Sequence, residues 1–353
     1  FEHNGENFGM DNYNFSVDGL KYWDIGKGSY LSDGKAGMSS GKNITERLFS
    51  VFARANYAYR DKYLLSASIR HEGSSKFSAD NRWANFWSAS AGWRISKENF
   101  MKEVKWVDDL KVRFGYGVTG NNDFDASYMA DMLGSDTYWM LPNGEWAYSF
   151  GKTQNVNRNL GWEEKKEWNL GVDYSLFGNR LYGKFDYFKR TIDNLIYEVA
   201  VPQPPYTQNT QWQNIGSMEV KGWEFEVGGD IIRTKDFVWS SNLNLSHNSG
   251  KIATLWGNNT YKNGNGFVAP GSPGDAARME EGSTIGSFYI WKFAGFDDEG
   301  NFLLYDKDNN VIPAKDKTEN DKRYVGNYTP KLIVGWSHTF TYRNFDLGVN
   351  LRS

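Results

Sequence analysis

The side chains able to do chemistry are scattered along the chain. Four histidines, His3, His71, His247 and His338, stand far apart with no HExxH or related spacing, so they offer no metal set. Carboxylate pairs such as Glu163-Glu164, Glu280-Glu281 and Asp297-Asp298 fall in segments without the apolar surroundings that would raise one pKa and split the pair into acid and base. A glycosidase pair therefore finds no support. No GxSxG elbow, phosphate loop or complete GxGxxG occurs. With no cysteine the chain has no disulfide, thiolate metal site or thiol nucleophile. The expectation is no enzyme activity, with no catalytic residue, no metal and no cofactor.

What remains is binding chemistry. Tyr138, Trp139, Trp146 and Tyr148 lie in the interval 120–166, Tyr206 and Trp212 in 191–222, and Trp256 and Tyr261 in 249–331. Flat rings stack on sugar faces or peptide side chains, and neighbouring Asn, Gln and Asp hydrogen-bond hydroxyls or backbone. These eight rings are the candidate ligand contacts. Their competing role is to pack the loops together or to seat a lid. A net charge of −3 provides no basic field, so nucleic acid is excluded as a partner.

The elements that must position these loops are strands. In 86–96, FWSASAGWRIS, Trp87, Ala89, Ala91, Trp93 and Ile95 fall on one face, and Ser88, Ser90, Gly92, Arg94 and Ser96 on the other. The same period recurs in 49–59, 63–70, 110–119, 167–176, 181–190, 223–231, 238–248, 332–340 and 345–351. Aromatic residues reach 17 % while mean hydropathy is −0.66, which suits thin apolar bands better than a thick core. No run approaches the roughly 18 apolar residues of a spanning helix, but strands cross a membrane in about 10 alternating residues.

The links alternate. Short or medium ones at 60–62, 96–109, 178–180, 232–236 and 343–344 are interleaved with longer ones at 71–86, 120–166, 191–222 and 249–331. An all-β, transmembrane, antiparallel up-and-down barrel has this order, with tight turns on one side and long loops on the other. Tyr59, Tyr63, Phe177, Tyr182, Phe237, Trp239, Tyr342 and Phe345 flank the tight turns as an interfacial girdle would. The polar faces would then line the interior with Arg54, Arg70, Arg94, Lys111, Arg113, Glu167, Asp173, Glu224 and Glu226, charges that need water or partners. Ten strands that stop in mid-pattern do not close, so the sequence is expected to be part of a longer chain, with 1–45 as an extracellular loop region and 46–353 as partial barrel wall. A soluble or surface-anchored all-β glycan-binding protein is the alternative; it requires closed β modules with the apolar faces covered.

Seven stretches together resemble the SusC/RagA family of TonB-linked outer-membrane transporters. They are YRDKYLLSASIRHEGSSKF (59–77), NRWANFWSASAGWRIS (81–96), VKWVDDLKVRFGYGVTGNN (104–122), NLGWEEKKEWNLGVDYSLFGNRLYGKFDYFKRTIDNLIY (159–197), NIGSMEVKGWEFEVGGDIIRTKDFVWSSNLNLSHNSGKI (214–252), IGSFYIWKFAGFDDEGN (285–301) and YTPKLIVGWSHTFTYRNFDLGVNL (328–351). The resemblance implies a plugged barrel of about 22 strands in the outer membrane of a Gram-negative bacterium, in contact with its lipid. It also implies a SusD-like surface lipoprotein over the mouth, a TonB complex acting through a plug, and oligosaccharide or peptide as cargo. Plug, N-terminal extension and final strands have no counterpart here. Relatives often carry a calcium-loop-like stretch after the SFYxxKFxGxD segment. Here Asp306-Lys307-Asp308-Asn309-Asn310-Val311 departs from it, with Val where an EF-hand loop turns on Gly, so no calcium is expected.

Overall fold

The computed structural model describes residues 2–5, 45–255, 261–263 and 276–353. One antiparallel sheet of eleven strands dominates. In chain order the strands are β1 (Glu2–Gly5), β2 (Thr45–Tyr59), β3 (Tyr63–Ser74), β4 (Trp83–Arg94), β5 (Val107–Asn121), β6 (Glu163–Leu176), β7 (Leu181–Asp193), β8 (Ser217–Arg233), β9 (Phe237–Thr254), β10 (Ile333–Tyr342) and β11 (Phe345–Arg352). Each pairs with its sequential neighbour, so the wall is up-and-down without a crossover. All ten strands expected from alternation are present; β1, four residues long, pairs with the start of β2.

The tight links 60–62, 177–180, 234–236 and 343–344, with the medium link 95–106, all lie at one end of the wall. Their backbone explains the sharpness: Arg60 and Asp61 both have positive φ (52° and 58°), the geometry that matches the twist of flanking strands in a two-residue hairpin turn. Gly178 and Asn179 also take positive φ at the next such turn. Links 75–82, 122–162 and 194–216 and the described residues of 255–332 gather at the other end. There the strands run several residues past their alternating portions, to Ser74, Asn121 and Thr254. These extensions, HEGS and GKIAT among them, lose the regular alternation, and some of their side chains, Glu72, Ser74 and Ile252, are buried against the loops. The hydrogen-bond ladder continues without needing a second, apolar side.

Register sorts the side chains onto two faces, because residues directly opposite across an antiparallel pair point the same way. One row reads Tyr57, Leu65, Ala91, Phe114, Leu170, Tyr187, Trp223 and His247 from β2 to β9. A row on the opposite face reads Arg94, Lys111, Asp173, Lys184, Glu226 and Asn244 from β4 to β9. The apolar face lies open: Leu65 is 52 % exposed, Phe114 49 %, Leu170 45 % and Leu347 60 %. A water-soluble sheet would cover such a face.

The buried hydrophobic cluster is elsewhere. Phe77, Phe124, Leu160 and Trp162, from the links at the long-loop end, close around Phe86 and Val118 at the tops of β4 and β5. Smaller sheets decorate the same end: Leu133–Met140 with Trp146–Lys152, Ile196–Ala200 with Thr210–Asn214, Ser287–Trp291 with Lys322–Asn327, and a three-stranded unit of Phe293–Phe296, Phe302–Tyr305 and Val311–Pro313. Their strands are short and alternate poorly, so the sequence pattern shows them only as loop.

Candidate functional site at the long-loop mouth

Two loops are locked together at the mouth by amide side chains. Asn155 donates from Nδ2 to the carbonyls of Gln208 and Thr210 at 2.7 and 2.8 Å, while its Oδ1 accepts from the amides of Thr207 and Gln208. Asn157 donates to the Trp212 carbonyl at 2.9 Å. Asn214 returns the contact, accepting from the Gly161 amide at 2.7 Å and donating to the carbonyls of Gly161 and Asn194 at 2.9 Å. Backbone groups that would otherwise be left without partners in an irregular segment are thus satisfied. Beneath them Phe77 and Trp162 meet at 4.9 Å between ring centres, and the Trp162 indole donates to the Arg82 carbonyl at 3.1 Å.

The eight candidate rings divide on this scaffold. Trp139 and Trp146 are 69 % and 67 % exposed on the hairpin of Leu133–Met140 and Trp146–Lys152, and Tyr138 is the register partner of Tyr148. Trp146 pairs with Met140 and Trp139 with Ala147, so the two indoles occupy opposite faces of the hairpin. Tyr206 is exposed in the turn between Ile196–Ala200 and Thr210–Asn214. Trp212 is half-buried and stacks on Tyr128 at 4.3 Å and 13°, which engages it in packing the loops. Tyr261 begins the strand Tyr261–Asn263, and Trp256 lies outside the described residues. Of the eight, the structure therefore engages one, Trp212, in a stack with Tyr128, leaves Trp139 and Trp146 prominent on a hairpin, and joins no group of them into a single pocket among the described residues.

Below the mouth, all nine charged residues singled out for the interior share the polar face, as the register rows require. Arg113 is the centre of their best-ordered network. Its guanidinium donates to both oxygens of Asp173 at 2.8–3.0 Å and to both oxygens of Asp186 at 3.1 Å, while Lys111 reaches Asp173 at 2.7 Å. Arg113, Gly171 and Asp186 occupy one register row, so the arginine must pass over Gly171 to reach the aspartate. A Cβ at Gly171 would lie 2.5 Å from Asp186 Oδ1 and 2.7 Å from Arg113 Nη2. Further pairs are Arg190 with Glu167 at 2.7 Å, Lys184 with Glu226 at 3.1 Å, Arg70 with Glu72 at 2.8 Å and Arg94 with Asp109 at 3.5 Å. Glu224 is exposed on the same face as Asp186, its register partner.

The medium link at the tight-turn end carries a carboxylate clamp. Glu98 accepts from Lys62 Nζ at 2.9 Å, the Tyr63 hydroxyl at 2.7 Å and the Trp93 indole at 3.1 Å. These donors, Lys62 first, hold its pKa down to about 2. The Asp306 carboxylate accepts from the amides of Asp308 and Asn310 and from the Asn310 side chain, and those bonds close a tight turn of the loop.

Comparison with known proteins decides the family. The family described as TonB dependent receptor-like, beta-barrel, matches residues 1–352. The chain belongs to this family of TonB-dependent receptor barrels. It is 32 % identical over 315 residues to the TonB-dependent receptor SusC of Bacteroides thetaiotaomicron, an alignment covering 87 % of this chain and 31 % of that protein. It is 34 % identical over 329 residues to the TonB-dependent receptor P3 of Formosa agariphila, covering 88 % of this chain and 32 % of that one. A solved structure of the RagAB peptide transporter superposes with a TM-score of 0.74 at 25 % identity, over 91 % of this chain and 35 % of that one. The chain thus spans about a third of the length of the relatives it matches.

Within this receptor wall, some residues escape a reading by residue type. Asn155, Asn157 and Asn214 clamp the two loops through backbone contacts across 52 to 55 positions of sequence, and the clue in TQNVNRNLGW was the density of turn-prone asparagines. Tyr128 and Gly171 gave no signal beyond their identity.

Proposed function

We propose that this chain forms part of the wall and extracellular mouth of a TonB-dependent importer in the outer membrane of a Gram-negative bacterium, carrying oligosaccharides or peptides. A SusD-like surface lipoprotein closes over the long-loop end, and a TonB complex acts through a plug held inside the barrel. The observation that carries the reading is the uncovered apolar face of the wall, backed by a polar face of paired charges. Hydrocarbon is the one surrounding that suits the first, and a hydrated interior suits the second. The soluble glycan-binding alternative requires a layer over Leu65, Phe114 and Leu170, and these side chains are exposed. The name of the RagAB relative adds support for peptide, and the exposed indoles suit either cargo.

In this reading Trp139 and Trp146 meet cargo or lid first, and Tyr206 adds an exposed ring on the loop whose Gln208 donates to the Lys152 carbonyl. The test is isolation of the full-length protein from membranes. A heat-modifiable barrel that is extracted with detergent and co-purifies with a lipoprotein supports the proposal. Release of a stable, detergent-free monomer contradicts it.

A further inference from the structure

The apolar face ends in lysine on β7 to β9. Tyr187 and Trp223 are register partners, and the next pair on the same face, two residues toward the long-loop end, is Lys189 opposite Lys221. Like charges placed directly opposite one another destabilise a sheet unless something neutralises them. Glu219 accepts Lys189 Nζ at 2.7 Å and Lys251 Nζ at 3.7 Å, so one carboxylate serves two lysines. Lys221 is exposed and makes no ion pair among the described residues. On neighbouring β6, Lys166 is already neutralised by Asp193 at 2.9 Å and Glu164 at 3.3 Å. With its β6 neighbour the patch therefore holds four lysines, Lys166, Lys189, Lys221 and Lys251, against the three carboxylates Glu164, Asp193 and Glu219, one positive charge in excess with Lys221 outside every pair among the described residues, immediately above a tyrosine and a tryptophan.

We infer that Lys189, Lys221 and Lys251 hold the phosphorylated headgroup of an outer-leaflet lipid, with its acyl chains lying along the apolar face below. The inference rests on the proposed reading of that face as the one in the membrane. Height supports it: Lys189 is the ninth residue of Leu181–Asp193, and a strand crosses the hydrocarbon in about 9–11 residues. Lys189, with Lys221 opposite it, thus stands at the membrane surface where anionic headgroups lie, Lys251 stands one step further out beside Glu219, and the rings beneath stand at the boundary that suits amphipathic side chains. A free phosphate would use the lysines and ignore the rings. An amphiphile uses both.

The test is a titration of the full-length protein, purified in detergent, with monophosphoryl lipid A, with its dephosphorylated form and with inorganic phosphate, read by native mass spectrometry and thermal shift. Monophosphoryl lipid A is expected to be retained and to raise the melting temperature. Neutralising one lysine costs about fivefold in affinity, so K189Q/K221Q lowers it on the order of twentyfold while the protein still runs as a heat-modifiable barrel. Equal affinity in K189Q/K221Q, equal binding of the dephosphorylated lipid, or full displacement by inorganic phosphate overturns the inference and leaves the importer reading standing. A protein that never enters the detergent phase contradicts the wall reading itself, and the two failures are distinguishable.

Discussion

At the scale of single residues, the charged side chains were legible in kind and only partly in arrangement. Alternation alone places Arg113, Asp173 and Glu226 on the polar face. It does not disclose that Arg113 bridges Asp173 and Asp186, because the bridge needs the empty space over Gly171. Replacing Arg113 by alanine leaves two carboxylates facing one another with Lys111 as their remaining cation. The expected loss is about 2 kcal/mol in unfolding of the purified protein, reduced from the full cost of breaking a buried pair because the network is partly open to water. Asp186→Asn in the same background recovers part of it. Gly171→Val is expected to be at least as damaging, since its side chain would occupy the guanidinium path. Glu98 yields a pH prediction. Its folded pKa of about 2 lies below the unfolded value, so its stabilisation is complete above the usual carboxylate pKa and is lost as pH falls toward 2. Glu98→Gln therefore lowers the temperature of heat modification at neutral pH, and its gap from the parent protein closes as the pH approaches 2.

Among the elements, the ten long strands were readable because each has one apolar and one polar side, a period that only a half-buried strand produces. Their ends were not, because β3, β5 and β9 continue past the apolar band in among the loops, where the ladder persists without alternation and Glu72, Ser74, Val118 and Ile252 are buried. The small loop sheets were hidden for the same reason. Their order depends on contacts distant in sequence, above all the asparagine clamp between 153–162 and 194–216. Asn155→Ala removes donors and acceptor at once from four backbone groups. Leaving such groups unsatisfied costs on the order of 1–3 kcal/mol, drawn from the local stability of the mouth. Limited proteolysis should then cut the Ile196–Ala200 and Thr210–Asn214 hairpin faster, with the heat-modified mobility of the barrel unchanged. Trp212→Ala, which removes the ring stacked on Tyr128, should act in the same direction.

At the scale of the whole molecule, the central claim concerns which solvent meets each face of the wall. The alternating link lengths foretold the up-and-down order, and the open apolar face now shows that no protein layer covers Leu65, Phe114 or Leu170 among the described residues. In the proposed reading cargo is held by loops, plug and lid together, and a chain that spans about a third of its relatives carries only its share of that information. An arginine at Leu170 would place a charge toward hydrocarbon and cost about 2–4 kcal/mol if the site lies near the bilayer midplane, whereas an arginine at Asn169 on the polar face should cost far less. The most direct measurement is spin labelling of single cysteines introduced along β6 at positions 168, 169, 170, 172, 174 and 175 of the full-length protein in a bilayer. Labels at Trp168, Leu170, Val172 and Tyr174 should be relaxed by oxygen dissolved in the lipid, and those at Asn169 and Ser175 by a water-soluble nickel chelate. Equal relaxation on both faces, or the reverse assignment, would contradict the account.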